Sequence, residues 1–195
     1  MTQPPGLDRR DFVRALLQRC PDALVVTGLG SSTWDAFAAG DRPQNFYLWG
    51  AMGGAAAIGL GLALAQPRRS VLVLTGDGEQ LMGLGVLATV GAQQPRNLTV
   101  VVLDNGHYAE TGMQRSHTSM GTSLATVARG CGLAHVMEIR EPHEVEALAA
   151  RVQAREGCAF AQVAIAAGEL PRVLPPRDGV HLKNRMRQAL GLDTF

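Results

Sequence analysis

The chain has 195 residues, of which 46% are hydrophobic and 18% are charged. These proportions exclude a disordered chain and predict one globular domain over residues 1–195, with a C-terminal tail over residues 170–195. The formal net charge of +1 argues against a dedicated nucleic-acid binder, because such proteins gather a basic excess on one face. We therefore expect no nucleic-acid partner.

The sequence also favours a cytoplasmic protein without membrane contact. The segment Met1–Arg10 is polar and lacks the apolar stretch of a signal peptide. The longest apolar run, Gly53–Ala65, is broken by glycine and is about 13 residues long, whereas a membrane span needs about 20. The scattered Cys20, Cys131 and Cys158 suit free thiols in a reducing compartment, because they form neither a disulfide framework nor a zinc motif.

Hydrophobic periodicity predicts strands and helices in alternation. The predicted strands are Ala23–Thr27, Phe46–Trp49, Val71–Thr75, Leu98–Leu103, His135–Ile139 and Ala159–Ala166. The predicted helices are one capped by Asp8, a small-residue interior helix at Gly53–Ala65, Leu81–Gln93, one ending near Cys131, Pro142–Arg155 and His181–Leu190. The strands are continuous apolar runs, which is typical of parallel strands covered on both faces. This pattern predicts an α/β fold: a doubly wound, mostly parallel sheet of about six strands, with helices on both faces.

The most informative motif is Gly76-Asp77-Gly78-Glu79, directly after the predicted strand Val71–Thr75. Ligands of doubly wound sheets bind outside the carboxyl ends of the strands, which is where this motif lies. The glycines allow a sharp turn and close approach of a ligand, and the start of the following helix attracts anions. A carboxylate at such a place implies a cation beside it, so the motif predicts Mg²⁺ bridging Asp77 and a phosphate group.

A second polar motif, Asp104-Asn105-Gly106-His107-Tyr108, follows the next predicted strand. Asn105 comes 28 positions after Asp77, about the length of one strand–helix–strand crossover. We therefore expect the Asn105 amide oxygen close to the Asp77 carboxylate. One carboxylate, one amide oxygen and a backbone carbonyl are ligands that suit Mg²⁺.

This pairing resembles the signature of the thiamine diphosphate enzymes, in which Gly-Asp-Gly is followed by Asn one crossover later. By that resemblance, Asp77, Asn105 and the His107 carbonyl bind Mg²⁺. The resemblance also implies bound thiamine diphosphate, with the Gly50 carbonyl at its aminopyrimidine ring and Met52 as the wedge that bends it. Further cofactor contacts are implied for Gly28, Gly30, Ser31, Gly76, Gly78, Glu79, Tyr108 and Thr111.

The polar loop after the second motif resembles the decarboxylase and acetolactate synthase branch of that family. The likeness extends to the sulfopyruvate and phosphonopyruvate decarboxylases, and implies a lyase that converts a small 2-oxo acid to an aldehyde and CO₂ without oxidation. His107 and Gln114 are the implied catalytic residues, and Arg115 and His117 are candidates to bind a second anionic group of the substrate. Met113 and Arg115 depart from the pattern of these decarboxylases, which leaves the substrate open.

In that family, a glutamate on a separate pyrimidine-binding domain activates the cofactor. Nothing in this sequence resembles that domain, and neither Glu79 nor Glu110 matches its glutamate by motif. The resemblance therefore implies a partner subunit that supplies the pyrimidine-binding domain and the catalytic glutamate, in a hetero-oligomer.

Three other functions stay open on the sequence. A carboligase of the acetolactate synthase type would use the same cofactor but join a second carbonyl compound. A non-catalytic regulatory subunit would keep only the fold. A nucleotide-binding Rossmann-like module would use the turn Gly28–Thr33, although that turn lacks the third glycine of the dinucleotide fingerprint and an acidic residue after the next strand.

Overall fold

The computed structural model describes residues 6–194. In chain order its strands are β1 (Leu24–Thr27), β2 (Asn45–Tyr47), β3 (Val71–Gly76), β4 (Leu98–Asp104), β5 (His107–Tyr108), β6 (Gln114–Arg115), β7 (His135–Ile139) and β8 (Ala159–Ala164). Six of them form one sheet in the order β2-β1-β3-β4-β8-β7, in which every neighbouring pair is parallel. The short strands β5 and β6 form a separate antiparallel hairpin.

Helices cover both faces of the six-stranded sheet. They are α1 (Arg9–Arg19), α2 (Ser31–Ala38), α3 (Ala55–Ala65), α4 (Asp77–Met82), α5 (Val86–Gln93), α6 (Leu124–Gly130), α7 (Val145–Ala154) and α8 (Gly179–Ala189). Side chains of α1, α2 and α7 pack on one face, and those of α3, α5 and α6 pack on the other. The predicted doubly wound α/β fold is therefore confirmed.

The central strands are mostly apolar because both of their faces are buried. In β3, Leu72 and Leu74 point into the core on the α1 side, whereas Val71 and Val73 point into the core on the α3 side. All four side chains are fully buried. Burial on both faces removes the polar-apolar alternation that a half-exposed strand would show, which explains the continuous apolar runs.

The predicted tail over residues 170–195 contributes α8 and the proline-rich segment before it. One α8 side chain, Leu182, is buried in the core on the α1 side, and another, Met186, is buried on the α3 side. Before α8, the indole N–H of Trp49 donates to the Pro176 carbonyl at 2.8 Å. The Arg177 guanidinium lies over the same indole, 5.0 Å from its ring centre.

The prediction of one helix over Leu81–Gln93 was wrong. The structure has two helices there, α4 and α5, separated at Gly83–Gly85. The break coincides with a close backbone contact, because a Cβ atom at Gly83 would lie 2.2 Å from the Gly53 carbonyl oxygen. The first of the two helices starts directly at Asp77, without a loop after β3.

The small-residue helix α3 was predicted to lie in the interior. One side of it is buried as expected, but the opposite side is exposed, so the prediction was wrong for that side. Residues Ala56, Gly59 and Ala63 of α3 face the sheet and are buried, whereas Ile58 and Leu64 are exposed. None of the helices in residues 6–194 has both the length and the apolar character to cross a membrane. The segment Met1–Pro5, part of the region expected to lack a signal peptide, lies outside the described residues.

Two glycines of α3 should respond in opposite ways to alanine. A Cβ atom at Gly59 would lie 2.2 Å from Val73 Cγ2, whereas one at Gly61 would meet nothing within 4 Å. Gly61→Ala should therefore stabilise the fold by about 0.5–1 kcal/mol through helix propensity. Gly59→Ala should destabilise it, because overpacking costs about 1–3 kcal/mol and outweighs that gain. Urea unfolding of both variants measures the difference; equal effects would contradict the close packing of α3 on β3.

Candidate active site

A cavity of about 800 Å³ opens at the carboxyl ends of the central strands. Its volume is within the range of about 300–1,000 Å³ that is typical of small-molecule sites. Most of the residues predicted to bind cofactor or metal line it, namely Ser31, Met52, Gly76, Asp77, Gly78, Glu79, Asn105, His107, Tyr108 and Thr111. These residues lie together because β1, β3 and β4 are parallel, so the segments that follow the three strands start at the same end of the sheet.

The other predicted site residues lie around this lining. Gly28 is pressed against Glu79, and Gly30 is close to the Glu110 carboxylate, at the start of α2. Gly50 has a φ of +109°, in a loop open to the surface. Gln114 is exposed and bound to Thr111 by two hydrogen bonds, of 3.0 and 2.9 Å. Its catalytic role stays a prediction.

Asp77 is the buried charge at the centre of this edge, with only 3% of its surface exposed. Its Oδ2 accepts a hydrogen bond from the Ser116 hydroxyl. The Thr118 hydroxyl lies 3.3 Å from the same oxygen and 2.8 Å from Oδ1 of Asp104. Burial raises the pKa of Asp77 to about 6. The Ser116 hydrogen bond acts against that shift, and the nearby Asp104 carboxylate adds to it.

The loop after β4 folds back to bring Ser116 to Asp77. His107 pairs with Arg115 in the β5–β6 hairpin, and the Ser116 N–H donates to the Gly106 carbonyl at 2.8 Å. Sequence reasoning missed the resulting cluster of Asp104, Ser116 and Thr118. Asp104 could have been found from its position at the end of a strand, next to Asn105. The two hydroxyl residues carried no such signal, because only the folded hairpin places them opposite Asp77.

Glu79 is a second buried carboxylate, with 4% of its surface exposed. It faces the Thr75 hydroxyl and the backbone N–H groups of Leu29, Gly53 and Ala55, yet neither of its oxygens makes a hydrogen bond of standard geometry with the described residues. Burial raises the pKa of Glu79, and these four groups oppose the shift. The side chain therefore lies where the loop after β1, the end of β3 and the start of α3 meet.

The polar residues after β4 form two local hydrogen-bond systems. Asn105 Oδ1 accepts the backbone N–H of His107 at 2.9 Å, and the Asn105 carbonyl lies 2.8 Å from Nδ1 of the same histidine. The Tyr108 hydroxyl lies 2.6 Å from Nδ1 of His117, and both of these residues line the cavity. Arg115 is engaged elsewhere, since its guanidinium donates to the hydroxyl and the carbonyl of Ser119.

The donors at this edge of the sheet fit a hard cation and a phosphate group. Asp77 and Asp104 have no basic side chain in an ion pair with them anywhere in residues 6–194, so their charge is open to compensation by a cation such as Mg²⁺. No three His, Cys, Asp or Glu side chains in that range cluster as a metal site, so amide and backbone oxygens would have to complete the coordination. Gly76 leaves room for a ligand, because a Cβ atom there would meet only the Leu103 carbonyl, at 4.0 Å.

Sequence comparison assigns the class of protein that this fold and cavity define. Residues 28–163 match the family described as "Thiamine pyrophosphate enzyme, C-terminal TPP binding domain". The chain belongs to this family, and the resemblance to thiamine diphosphate enzymes is confirmed. The matched residues include Gly28 at the first turn, Asp77 and Asn105.

The relatives of the chain include two kinds of named decarboxylase. The chain is 39% identical to sulfopyruvate decarboxylase subunit beta of Methanothermobacter thermautotrophicus over 162 residues, which are 83% of this chain and 84% of that protein. It is 42% identical to phosphonopyruvate decarboxylase of Streptomyces viridochromogenes over 167 residues, which are 83% of this chain and 42% of that protein. The chain therefore spans less than half the length of the second relative.

A solved structure has the same fold. The 4-hydroxybenzoylformate decarboxylase of Rhodococcus jostii, a thiamine diphosphate-dependent enzyme, superposes with a TM-score of 0.69 at 20% identity. The superposition covers 87% of this chain and 34% of that one. At this level of identity, the comparison supports the architecture of the parallel sheet.

The raised pKa of Asp77 makes a prediction about stability and pH. The folded chain holds the proton of Asp77 up to about pH 6, whereas the unfolded chain releases it near the ordinary value of 3.8. Without metal, ionisation of Asp77 should therefore remove about 3 kcal/mol of unfolding free energy as the pH rises between those two values. Asp77→Asn should thus be more stable than the wild type at pH 7.5 and similar to it at pH 3.5.

Urea unfolding in EDTA at both pH values measures this effect. The control is Asp11→Asn, which removes an exposed carboxylate outside the described lining of the cavity. The change in unfolding free energy between pH 7.5 and pH 3.5 should be the same in this variant as in the wild type. An Asp77→Asn variant whose stability relative to the wild type is the same at both pH values would contradict a raised pKa.

Proposed function

We propose that this chain is the beta-type subunit of a thiamine diphosphate- and Mg²⁺-dependent decarboxylase of small 2-oxo acids, of the sulfopyruvate or phosphonopyruvate type. The reaction would release CO₂ and an aldehyde without oxidation. One observation carries the proposal: buried Asp77 opens onto the cavity in a chain that aligns with 84% of a sulfopyruvate decarboxylase beta subunit. We place the enzyme in the cytoplasm, where its free cysteines would stay reduced.

The metal and the cofactor would be held by loops from three strands. Asp77, Asn105 and the His107 carbonyl would bind Mg²⁺, and the remaining predicted residues of the cavity, with Gly50 beside it, would hold the organic cofactor. When bound, thiamine diphosphate supplies the nucleophilic carbon that adds to the 2-oxo group, and its ring accepts the electron pair that stays behind when CO₂ leaves. The apolar Met52 would support its ring system.

His107 is suited to hold and transfer a proton. A carbonyl oxygen only accepts hydrogen bonds, so the contact between the Asn105 carbonyl and His107 Nδ1 requires a hydrogen on Nδ1. In the neutral ring, Nε2 is then the basic nitrogen. His107 lines the cavity, so Nε2 would accept a proton there and return it to the product carbon. The Tyr108–His117 pair is a second candidate for this task.

A partner subunit would complete the site. The chain matches 42% of the phosphonopyruvate decarboxylase, and a pyrimidine-binding domain with the activating glutamate would be found in the unmatched part of that longer protein. The glutamates that line the cavity are poor substitutes for that activating glutamate. Glu79 is enclosed by the loop after β1, the end of β3 and the start of α3, and the Glu110 carboxylate lies beside Gly30, at the N-cap of α2. Exposed Met52 and Met82 at the cavity would be covered in the resulting hetero-oligomer.

Binding of the cofactor can be tested on the purified chain. Thiamine diphosphate with Mg²⁺ at 100 times the dissociation constant should add about 2.7 kcal/mol of stability, which raises the melting temperature by several degrees. Asp77→Ala should abolish the shift, because the carboxylate that holds the metal is removed. The measurement is thermal unfolding with thiamine diphosphate, with and without Mg²⁺ or EDTA. A shift with NADH alone would instead favour a nucleotide-binding module.

The reaction requires the assembled enzyme. Affinity purification of the chain from its source organism should recover a second chain with a pyrimidine-binding domain, and the complex should release CO₂ from sulfopyruvate or phosphonopyruvate. His107→Gln should lower kcat by about 10²–10⁴-fold, because it removes an acid–base group. Product analysis by mass spectrometry separates an aldehyde from the larger product of a carboligase. A complex that turns over neither 2-oxo acid would contradict the proposed substrate class.

A further inference from the structure

The cavity is rich in acidic side chains, and one arginine lines it together with them. Asp77, Glu79 and Glu110 all line the cavity. Arg9, from the first turn of α1, is the one arginine or lysine among the described residues of the lining. A bound diphosphate would bring several more negative charges into this space. A positive charge in addition to the proposed Mg²⁺ would therefore strengthen its binding.

Arg9 is held rigidly, with 5% of its surface exposed. Its Nε donates to Asp35 Oδ2 at 2.7 Å, and its Nη1 donates to the Gly168 carbonyl at 3.3 Å. The Nη2 group has no hydrogen-bond partner within residues 6–194. Two of the three nitrogen atoms therefore fix the plane of the guanidinium, and the third keeps its hydrogen-bonding capacity.

The anchor of the Arg9 guanidinium is Asp35. Asp35 is fully buried and accepts hydrogen bonds from two arginines, Arg9 on one oxygen and Arg10 on the other, at 2.7 and 2.9 Å. Of the two guanidinium groups that this carboxylate serves, Arg9 is the more buried, with 5% of its side chain exposed against 16% for Arg10. Asp35 therefore anchors Arg9 inside the protein, whereas Arg10 reaches solvent.

The neighbouring residues are suited to bind a phosphate. Asp35 belongs to α2, so its ion pairs attach Arg9 to the same helix whose first residues, Ser31 and Ser32, line the cavity. The N-cap of this helix is Gly30, which has no side chain to cap the free N–H groups of the first turn. Arg9 and the two serines therefore line the same cavity, and the Glu110 carboxylate lies beside Gly30 at the start of this helix.

We infer that Arg9 binds the terminal phosphate of the cofactor, and that Asp35 is the positioning residue that holds its guanidinium in place. This inference rests on the proposed function, and adds a residue from α1 to the cofactor site, outside the residues matched to the family. The N–H groups of Nη2 would donate charge-assisted hydrogen bonds to the phosphate oxygens.

The test compares two cofactor forms that differ by one phosphate. Isothermal titration of the full chain, with Mg²⁺, measures the affinity for thiamine diphosphate and for thiamine monophosphate. Arg9→Gln should weaken thiamine diphosphate binding by roughly 10–100-fold, as expected for loss of a charge-assisted hydrogen bond. Thiamine monophosphate binding should change by less than about threefold, because the contact to the terminal phosphate is already missing.

Arg10→Gln is the matched control. Arg10 shares Asp35 but is absent from the described lining of the cavity, and its other hydrogen bond goes to the Pro171 carbonyl. This variant should leave both affinities within about threefold of the wild type. Arg9→Lys keeps the positive charge beside Asp35 and therefore protects the fold. Its affinity for thiamine diphosphate should fall by less than that of Arg9→Gln, and its affinity for thiamine monophosphate should again change less than its affinity for the diphosphate.

Three outcomes would overturn the inference. Equal losses for the two cofactor forms would assign Arg9 a structural role only. Unchanged diphosphate affinity in folded Arg9→Gln or Arg9→Lys would exclude a contact with the phosphate. A wild-type chain that binds neither thiamine diphosphate nor Mg²⁺ with inorganic pyrophosphate would also overturn it, because the contact is placed on this chain alone. That last result would leave the proposed function to be judged by the decarboxylation assay of the complex.

Discussion

The parallel pairing of β1, β3 and β4 is the constraint on which the rest of this structure depends. Thr27 pairs with Leu74, and Gly76 pairs with Leu103, so the loops after these strands start at the same edge of the sheet. Both faces of these strands are buried, so apart from a few threonines their side chains are apolar. The chemistry is therefore concentrated in the residues that immediately follow the strands.

Negative charge is the second theme of the site. Asp77 and Asp104 are joined through the Thr118 hydroxyl, and Glu79 lies buried nearby at the junction of three segments. Burial penalises the ionised forms of Asp77 and Glu79, and the nearby Asp104 carboxylate adds to the penalty on Asp77. Such an arrangement costs stability in the isolated chain, and the cost is offset when cations bind. The structure of the cavity thus agrees with a site whose ligands include both a metal and an anion.

Close backbone contacts give the cavity its shape. Gly83 lies against the Gly53 carbonyl, Gly28 against Glu79, and Gly59 against Val73. At each of these positions a Cβ atom would overlap a neighbouring group. The small residues therefore allow α3 to pack on β3, the segment before α3 to pack on the break between α4 and α5, and the turn after β1 to pack on Glu79 of α4. The exposed apolar side of α3 is consistent with a subunit that works within a larger assembly.

The sequence by itself determined the fold class, because periodicity and continuous apolar strands depend only on local patterns. It also determined the family, since Gly76-Asp77-Gly78 and Asn105 carry a spacing set by one crossover. The break between α4 and α5 escaped prediction, because it coincides with contact between Gly83 and Gly53, thirty positions apart. Ser116 and Arg9 escaped for the same reason: each reaches its partner, Asp77 or Asp35, through a hydrogen bond between distant parts of the chain. Only the tertiary structure decides such contacts, because they form when separate elements pack together and leave no periodic pattern in the sequence.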